Sequence, residues 1–194
     1  MEDIKKAKAE LRERIAEFFN GFPHTDTPEK EKRILAHLFE LANFVEANIV
    51  LLYSAYPYDT LSKNLIQKTL DSGKIVAVPV FFEKNAYRLY KIDRIDKSMK
   101  WEKSTGLVPI RDACREIPVE SLDIAIVPGL SFDEKGSRLG QGKGNYDEFI
   151  PQLPITARKV SLAFEEQVVP LVPVNSSDKH VDIVITDTRI IYKI

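Results

Sequence analysis

Apolar residues recur at helical spacing from the start of the chain, where Ile4, Leu11, Ile15 and Phe18 line one side and Lys5, Lys8, Arg12 and Arg14 occupy the rest. The pattern predicts a first helix, stopped by Asn20-Gly21 and then Pro23. A second helix is predicted from Thr27 as cap and Pro28 at the first helical position, with a stripe of Ile34, Leu35, Leu38, Leu41, Ala42 and Val45. The pattern then changes to short continuous apolar runs. The run at 48–54 (NIVLLYS) is apolar on successive residues, as a strand is when both faces of a parallel sheet are covered. A helix from about Thr60 to Ser72, closed by Gly73, leads to a second such run at 75–80, and together they read as a βαβ unit. Tyr87 to Ile92 alternates with period two, as an outlying strand or hairpin arm does, whereas 93–121 is mixed and reads as loop-rich. Three further strand-like runs follow at 123–127, 159–163 and 181–185, separated by a glycine-rich loop with a short helix and by a Pro/Ser/Asn-rich loop. This alternation predicts one three-layer α/β/α domain over residues 1–194 with a mainly parallel sheet. Ligands in such sheets bind beyond the carboxyl ends of the strands, so the loops after strands carry the chemistry.

Composition narrows the class. The chain has 194 residues with 44% hydrophobic content, enough for one contiguous core. Twenty-eight basic against 29 acidic residues leave a formal charge of −1, so no global field draws it to nucleic acid or an anionic membrane. Any anion site is therefore local. A single cysteine, Cys114, excludes an internal disulfide and fits a reducing compartment. The charged N-terminal stretch lacks the apolar centre of a signal peptide, and no apolar run approaches a membrane span, so a cytoplasmic location is expected. We also expect a monomer.

The loop after the run at 123–127 stands out, because five of the eight glycines (129, 136, 140, 142 and 144) fall within sixteen residues. Glycine admits positive φ and close approach of a ligand, so successive N–H groups can converge on phosphate oxygens. Arg138 and Lys143 add positive charge, and a helix expected to start near Lys143 would aim its positive end at the same place. The loop matches neither common nucleotide motif. Lys143 is followed by Gly144, where a P-loop has Ser or Thr, and the spacing Gly140-x-Gly142-x-Gly144 differs from the dinucleotide fingerprint. Composition alone leaves a phosphate cradle and a tightly turned surface loop both open.

The stretch Val127-Pro128-Gly129, Phe132-Asp133, Gly136, Arg138-Leu139-Gly140, Gly142, Gly144 and Tyr146-Asp147 resembles the long signature of the 5-formyltetrahydrofolate cyclo-ligase family, also called 5,10-methenyltetrahydrofolate synthetase. The likeness covers most of the chain. Lys8 to Arg12 matches an N-terminal Lys-x-x-Leu-Arg, Leu52-Tyr53 a strand end, Gly73-Lys74 and Val78-Pro79 a paired motif, and Val172-Pro173 with Asp178 a closing one. The resemblance implies a fold similar to the ribose-5-phosphate isomerase and CoA-transferase group. It also implies conversion of 5-formyltetrahydrofolate to 5,10-methenyltetrahydrofolate with ATP as co-substrate and Mg2+. In the family reaction ATP phosphorylates the formyl oxygen, N10 attacks the carbon, and phosphate leaves. Positioning and neutralisation of phosphate charge do most of such work.

By that resemblance Arg138 and Lys143 are the catalytic candidates. Nucleotide contact falls to Lys8, Arg12, Arg138, Leu139, Gly140, Gln141, Gly142, Lys143, Gly144, Asn145 and Tyr146. Lys8 and Arg12, one helical turn apart, would otherwise be a solvated basic face. Folate contact falls to Ser54, Asp59, Gln141, Gly142, Lys143, Gly144 and Asn145, and magnesium to Asp147 and Asp178. Either aspartate alone reads equally as a cap or surface charge. On the folate side the chain departs from the family. Asp59-x-x-Ser62 stands for the usual Glu-x-x-Thr, Asn145 for a tyrosine, and Gly106-Leu107-Val108-Pro109 lacks the family's acidic residue. Asp59 with Thr60 also reads as the start of a helix.

His24, His37 and His180 stand in no nucleophile motif and read as structural or surface groups, and Cys114 has no suggested histidine partner. Trp101 either packs the domain or walls a pocket. Two other readings stay open: a non-catalytic nucleotide- or folate-binding homologue, and a sugar-phosphate enzyme of the same fold.

Overall fold

In the computed structural model, residues 2–21, 27–54, 62–82, 86–102 and 106–193 are described. Along the chain the helices and strands are α1 (Glu2–Gly21), α2 (Thr27–Glu40), α3 (Ala42–Glu46), β1 (Ile49–Leu51), α4 (Ser62–Asp71), β2 (Ile75–Phe81), β3 (Tyr87–Ile92), α5 (Ile95–Ser98), β4 (Met99–Glu102), β5 (Gly106–Pro109), β6 (Ile124–Ile126), β7 (Ser131–Phe132), β8 (Arg138–Leu139), α6 (Asn145–Phe149), β9 (Arg158–Leu162), β10 (Ile183–Ile185) and β11 (Ile190–Tyr192). Tertiary contacts group them into two units, one made of Met1–Leu41, Val127–Asp147 and Lys159–Ile194, the other of Ala42–Ile126 and Glu148–Arg158. The fold is α/β, with a mainly parallel sheet flanked by helices.

In the unit built on Ala42–Ile126, the strand order is β6-β1-β2-β3, with β6–β1 and β1–β2 parallel and β2–β3 antiparallel. Val50, Leu51 and Leu52 are all fully buried in succession, the burial that the continuous apolar run at 48–54 predicts. The β-ladder itself covers only Ile49–Leu51, and Leu52 extends it with an N–H bond to the Ala77 carbonyl. Asp123 ties the start of β6 to β1, its Oδ2 accepting the N–H groups of Asn48 and Ile49. The period-two stretch Tyr87–Ile92 is indeed an edge strand, β3. The loop-rich reading of 93–121 misses α5 and the antiparallel β4–β5 hairpin. Its four-residue strands have no alternating buried face for a pattern to report: β4 runs buried, exposed, exposed, half-buried, and Trp101 is 76% exposed rather than packed in the core.

In the other unit, α1 buries Leu11 and Ile15, and α2 buries Ile34, Leu35 and Leu38. The single second helix expected through Val45 ends at Glu40. The Leu41 N–H reaches the Leu38 carbonyl, three residues back, so the chain leaves α2 in a tight turn. In α3, which belongs to the unit built on Ala42–Ile126, Phe44 is buried and Val45 is exposed, because the new helix starts with its own phase. β9 and β10 are parallel, and β11 adds an antiparallel edge to β10 that the sequence pattern does not announce.

The glycine-rich stretch is a built hairpin. Strands β7 and β8 pair Ser131 with Leu139 and Phe132 with Arg138. The turn between them is organised by the Asp133 carboxylate, only 1% exposed, which accepts the N–H groups of Lys135, Ser137 and Val172 at 2.9–3.0 Å. Phe132 continues the tie by accepting the Val169 N–H. The fragment Phe132-Asp133 therefore joins the hairpin to the segment after β9. At the base of the loop Ser161 donates to the Val127 carbonyl, and Val127 donates to the Val160 carbonyl. Asp133→Asn swaps one acceptor for a donor facing a buried N–H, and we expect it to lower unfolding free energy by about 1–3 kcal/mol. In the same denaturant titration, Glu134→Gln at the exposed neighbouring position shifts stability by less than about 0.5 kcal/mol.

Candidate active site

Arg138 enters the hairpin from β8 with its side chain 2% exposed. Its Nη1 donates to the Pro128 carbonyl at 3.1 Å and its Nη2 to Asp147 Oδ1 at 2.8 Å, while Nε is buried and is an unpartnered donor among the described residues. The guanidinium lies 5.9 Å from the centre of the Tyr146 ring. A Cβ at Gly140 would lie 2.9 Å from Nη1, and one at Gly129 would lie 2.5 Å from the Phe132 ring and 2.9 Å from Arg138 Cγ. Gly140 thus makes room for the arginine, and Gly129 for the arginine and the Phe132 ring together. Gly142 and Gly144, at φ +94° and +77°, are the pair that turns the backbone outward.

Asp147 Oδ1 accepts a second bond, from the Lys179 N–H at 3.1 Å, which draws the segment carrying Asp178 to the same place. Lys8 on α1 donates to both oxygens of Asp178, at 2.6 and 2.5 Å, with the two side chains only 13% and 12% exposed. Asp178 Oδ2 also accepts the Asn175 N–H. One turn along α1, Arg12 Nε donates to the Gly140 carbonyl at 2.9 Å, and its guanidinium touches the space beside Gly142 at 3.5 Å. The i, i+4 spacing of Lys8 and Arg12 puts both on the face turned to the glycine hairpin.

Most of the residues named from the sequence therefore converge, with a division the sequence does not contain. Lys8 and Arg138 are each paired with a carboxylate, whereas Arg12 has no ion pair and the exposed Lys143 has neither ion pair nor hydrogen bond among the described residues. Gln141 and Asn145 are half-buried and unbonded through their side chains among the described residues. Leu139 is 1% exposed and gives its carbonyl to the Leu130 N–H, so only its backbone borders the site. Four cations against two carboxylates leave two positive charges without a partner in this cluster. An anion with several oxygens is the complement of that arrangement.

The helix expected near Lys143 is present, starting at Asn145, but α6 runs only five residues, too short for a macrodipole to matter. The charges that line the loop do its electrostatic work. Ser54, half-buried just past β1, belongs to the other unit, and Asp59 lies outside the described residues. His24 also lies outside them, and His37 is tied through Nδ1 to the Thr186 carbonyl at 2.9 Å. Burial pushes the Cys114 thiol up and its S–H contacts the Ser98 carbonyl, so it is not an activated nucleophile. Sequence reading missed the Pro128 carbonyl, the Lys179 N–H and Asp133. The first and third stand inside the signature stretch and were open to inference as scaffold; a backbone N–H leaves no mark in a sequence.

Among the described residues no three His, Cys, Asp or Glu side chains group to hold a metal ion by themselves. Asp147 keeps Oδ2 free, a hard oxygen of the kind magnesium takes one or two of, completing its shell with water and substrate oxygens. The donor set fits such an ion. Removing Asp147 as Asp147→Ala strands the buried Arg138 cation, and we expect a loss of about 3 kcal/mol in denaturant unfolding. Lys143→Ala, which breaks no contact, stays within about 0.5 kcal/mol of the parent.

A family model described as the 5-formyltetrahydrofolate cyclo-ligase family matches residues 4–187. A Caenorhabditis elegans protein named probable 5-formyltetrahydrofolate cyclo-ligase is 25% identical over 207 residues, covering 95% of each chain. A Schizosaccharomyces pombe protein of the same name is 29% identical over 178 residues, covering 83% of this chain and 85% of the other. The solved structure of Aquifex aeolicus 5,10-methenyltetrahydrofolate synthetase superposes with a TM-score of 0.80 at 24% identity, over 95% of this chain and 92% of that one.

Proposed function

Because this chain belongs to the 5-formyltetrahydrofolate cyclo-ligase family, we propose that it is an enzyme converting 5-formyltetrahydrofolate to 5,10-methenyltetrahydrofolate with ATP and Mg2+, releasing ADP and phosphate. The observation that carries the nucleotide half is the convergence of Lys8, Arg12, Arg138 and Lys143 on a glycine hairpin with only two carboxylates to balance them. A triphosphate supplies the missing negative charge.

In this reading Arg12 and Lys143, the cations without an ion pair, meet the phosphates first, and the outward-turned backbone from Gly140 to Gly144 follows them. Arg138 faces the transferring phosphoryl group. Its buried, unsatisfied Nε marks a donor that gains from an incoming oxygen, and its hold on Asp147 and Pro128 fixes it before the reaction, so no reorganisation is needed in the transition state. Asp147 Oδ2, with Asp178, would hold magnesium, which when bound neutralises charge on the phosphates. The formyl oxygen takes the γ-phosphoryl group, which turns a poor leaving group into phosphate. N10 then attacks the formyl carbon and the C–O bond breaks. Gln141 and Asn145, whose side-chain amides have no hydrogen bond among the described residues, serve as polar contacts for the folate. We place the reaction in the cytoplasm and assign it to a monomer. Among the described residues no helix is long and apolar enough to cross a membrane.

Purified protein given 5-formyltetrahydrofolate, ATP and Mg2+ should produce the methenyl chromophore, and omission of ATP or chelation of the metal should stop it. Absence of product under all conditions overturns the assignment. Lys143→Ala is expected to lower kcat/KM by at least about a hundredfold. That loss, set beside its unchanged unfolding, separates chemistry from folding.

A further inference from the structure

The two carboxylates of the site are not equivalent. Asp147 binds Arg138 through one oxygen and keeps the other free, so a cation can join it without breaking the pair. Asp178 has no oxygen to spare. Lys8 Nζ contacts both, and the Asn175 N–H takes a further share of Oδ2. With both side chains about seven-eighths buried, this contact sits where water screens poorly, and it cancels the Lys8 charge. A phosphate that approaches Lys8 must compete with a carboxylate already in place, and must approach that carboxylate as a like charge.

On the nucleotide reading above, we propose that Asp178 is a specificity-determining residue, a latch on Lys8 that a divalent cation opens, so that the site selects metal-loaded over metal-free nucleotide. A cation bound at Asp178 takes over the charge that Lys8 now balances, and Lys8 is released to the phosphates. Metal and phosphate then assist each other at this pair, and by linkage each raises the affinity of the other by the same factor. Arg12, held among the described residues only by a backbone carbonyl, carries no such latch and accepts phosphate whether or not metal is present.

The test is calorimetric titration of the full chain with ATP in EDTA and in excess Mg2+. Asp178→Asn frees Lys8, so its affinity for ATP in EDTA rises about tenfold while its gain from Mg2+ shrinks. Lys8→Met, in which the latched cation is absent and Asp178 is left unpaired, lowers the affinity in Mg2+ about tenfold and lowers that in EDTA as well. Adding Asp178→Asn to Lys8→Met removes a like charge but frees no lysine, so its rise in EDTA is smaller than the roughly tenfold that Asp178→Asn gives on the parent. Should Asp178→Asn bind more weakly in Mg2+ with no change in EDTA, Asp178 is a metal ligand only and the latch is wrong. A uniform loss in both conditions for Asp178→Asn overturns it equally, since a merely structural pair behaves that way. Parent protein that binds ATP in neither condition overturns the nucleotide reading itself, whereas parent that binds in Mg2+ beside an unresponsive Asp178→Asn overturns the latch alone.

Discussion

A guanidinium almost wholly removed from water needs partners, and the two that Arg138 finds for its Nη atoms organise the glycine hairpin. The Pro128 carbonyl takes one nitrogen and Asp147 another, so the two ends of the signature stretch are drawn onto a single side chain. A side chain at Gly140 would meet the arginine, and one at Gly129 would meet the Phe132 ring and then the arginine. Asp147 in turn captures the Lys179 N–H, which brings the Asp178 segment in, and Asp178 captures Lys8 from the first helix. A buried ion pair of this kind adds little net stability, because desolvation offsets attraction. Its effect is positional. It fixes where charge stands before any ligand arrives, the arrangement that phosphoryl transfer requires of a protein.

The scaffold beneath rests on a fully buried carboxylate. Asp133 accepts three backbone N–H groups and thereby sets the turn between β7 and β8 and the crossing of the Val172 segment. Long family signatures mix such residues with those that touch ligand. Here the conformation separates them: Phe132 and Asp133 are sealed in, Arg138 is buried but ion-paired, and Arg12 and Lys143 are cations without an ion pair among the described residues.

Much of the fold was legible as pattern. Both-face burial of β1 and β2, the βαβ order and the stop signals at Gly21 and Gly73 are local consequences of apolar runs and of glycine. What escaped was short or weakly buried: β11, the β4–β5 hairpin around the exposed Trp101, and the break at Leu41, where phase and not composition changes. For the site, the signature was readable as a set of residues. Asp59, on the folate side, lies outside the described residues, so the departures there keep the weight the sequence assigns them.

The chain by itself determined which chemical groups the site has to work with: the cations at 8, 12, 138 and 143, the aspartates at 147 and 178, and the glycines that let backbone turn between them. Tertiary structure decided which of those groups are already spent on one another. Lys8 and Asp178 lie 170 positions apart, and whether a lysine is a free charge or half of an ion pair depends on distance and solvent access, which no spacing along a sequence encodes.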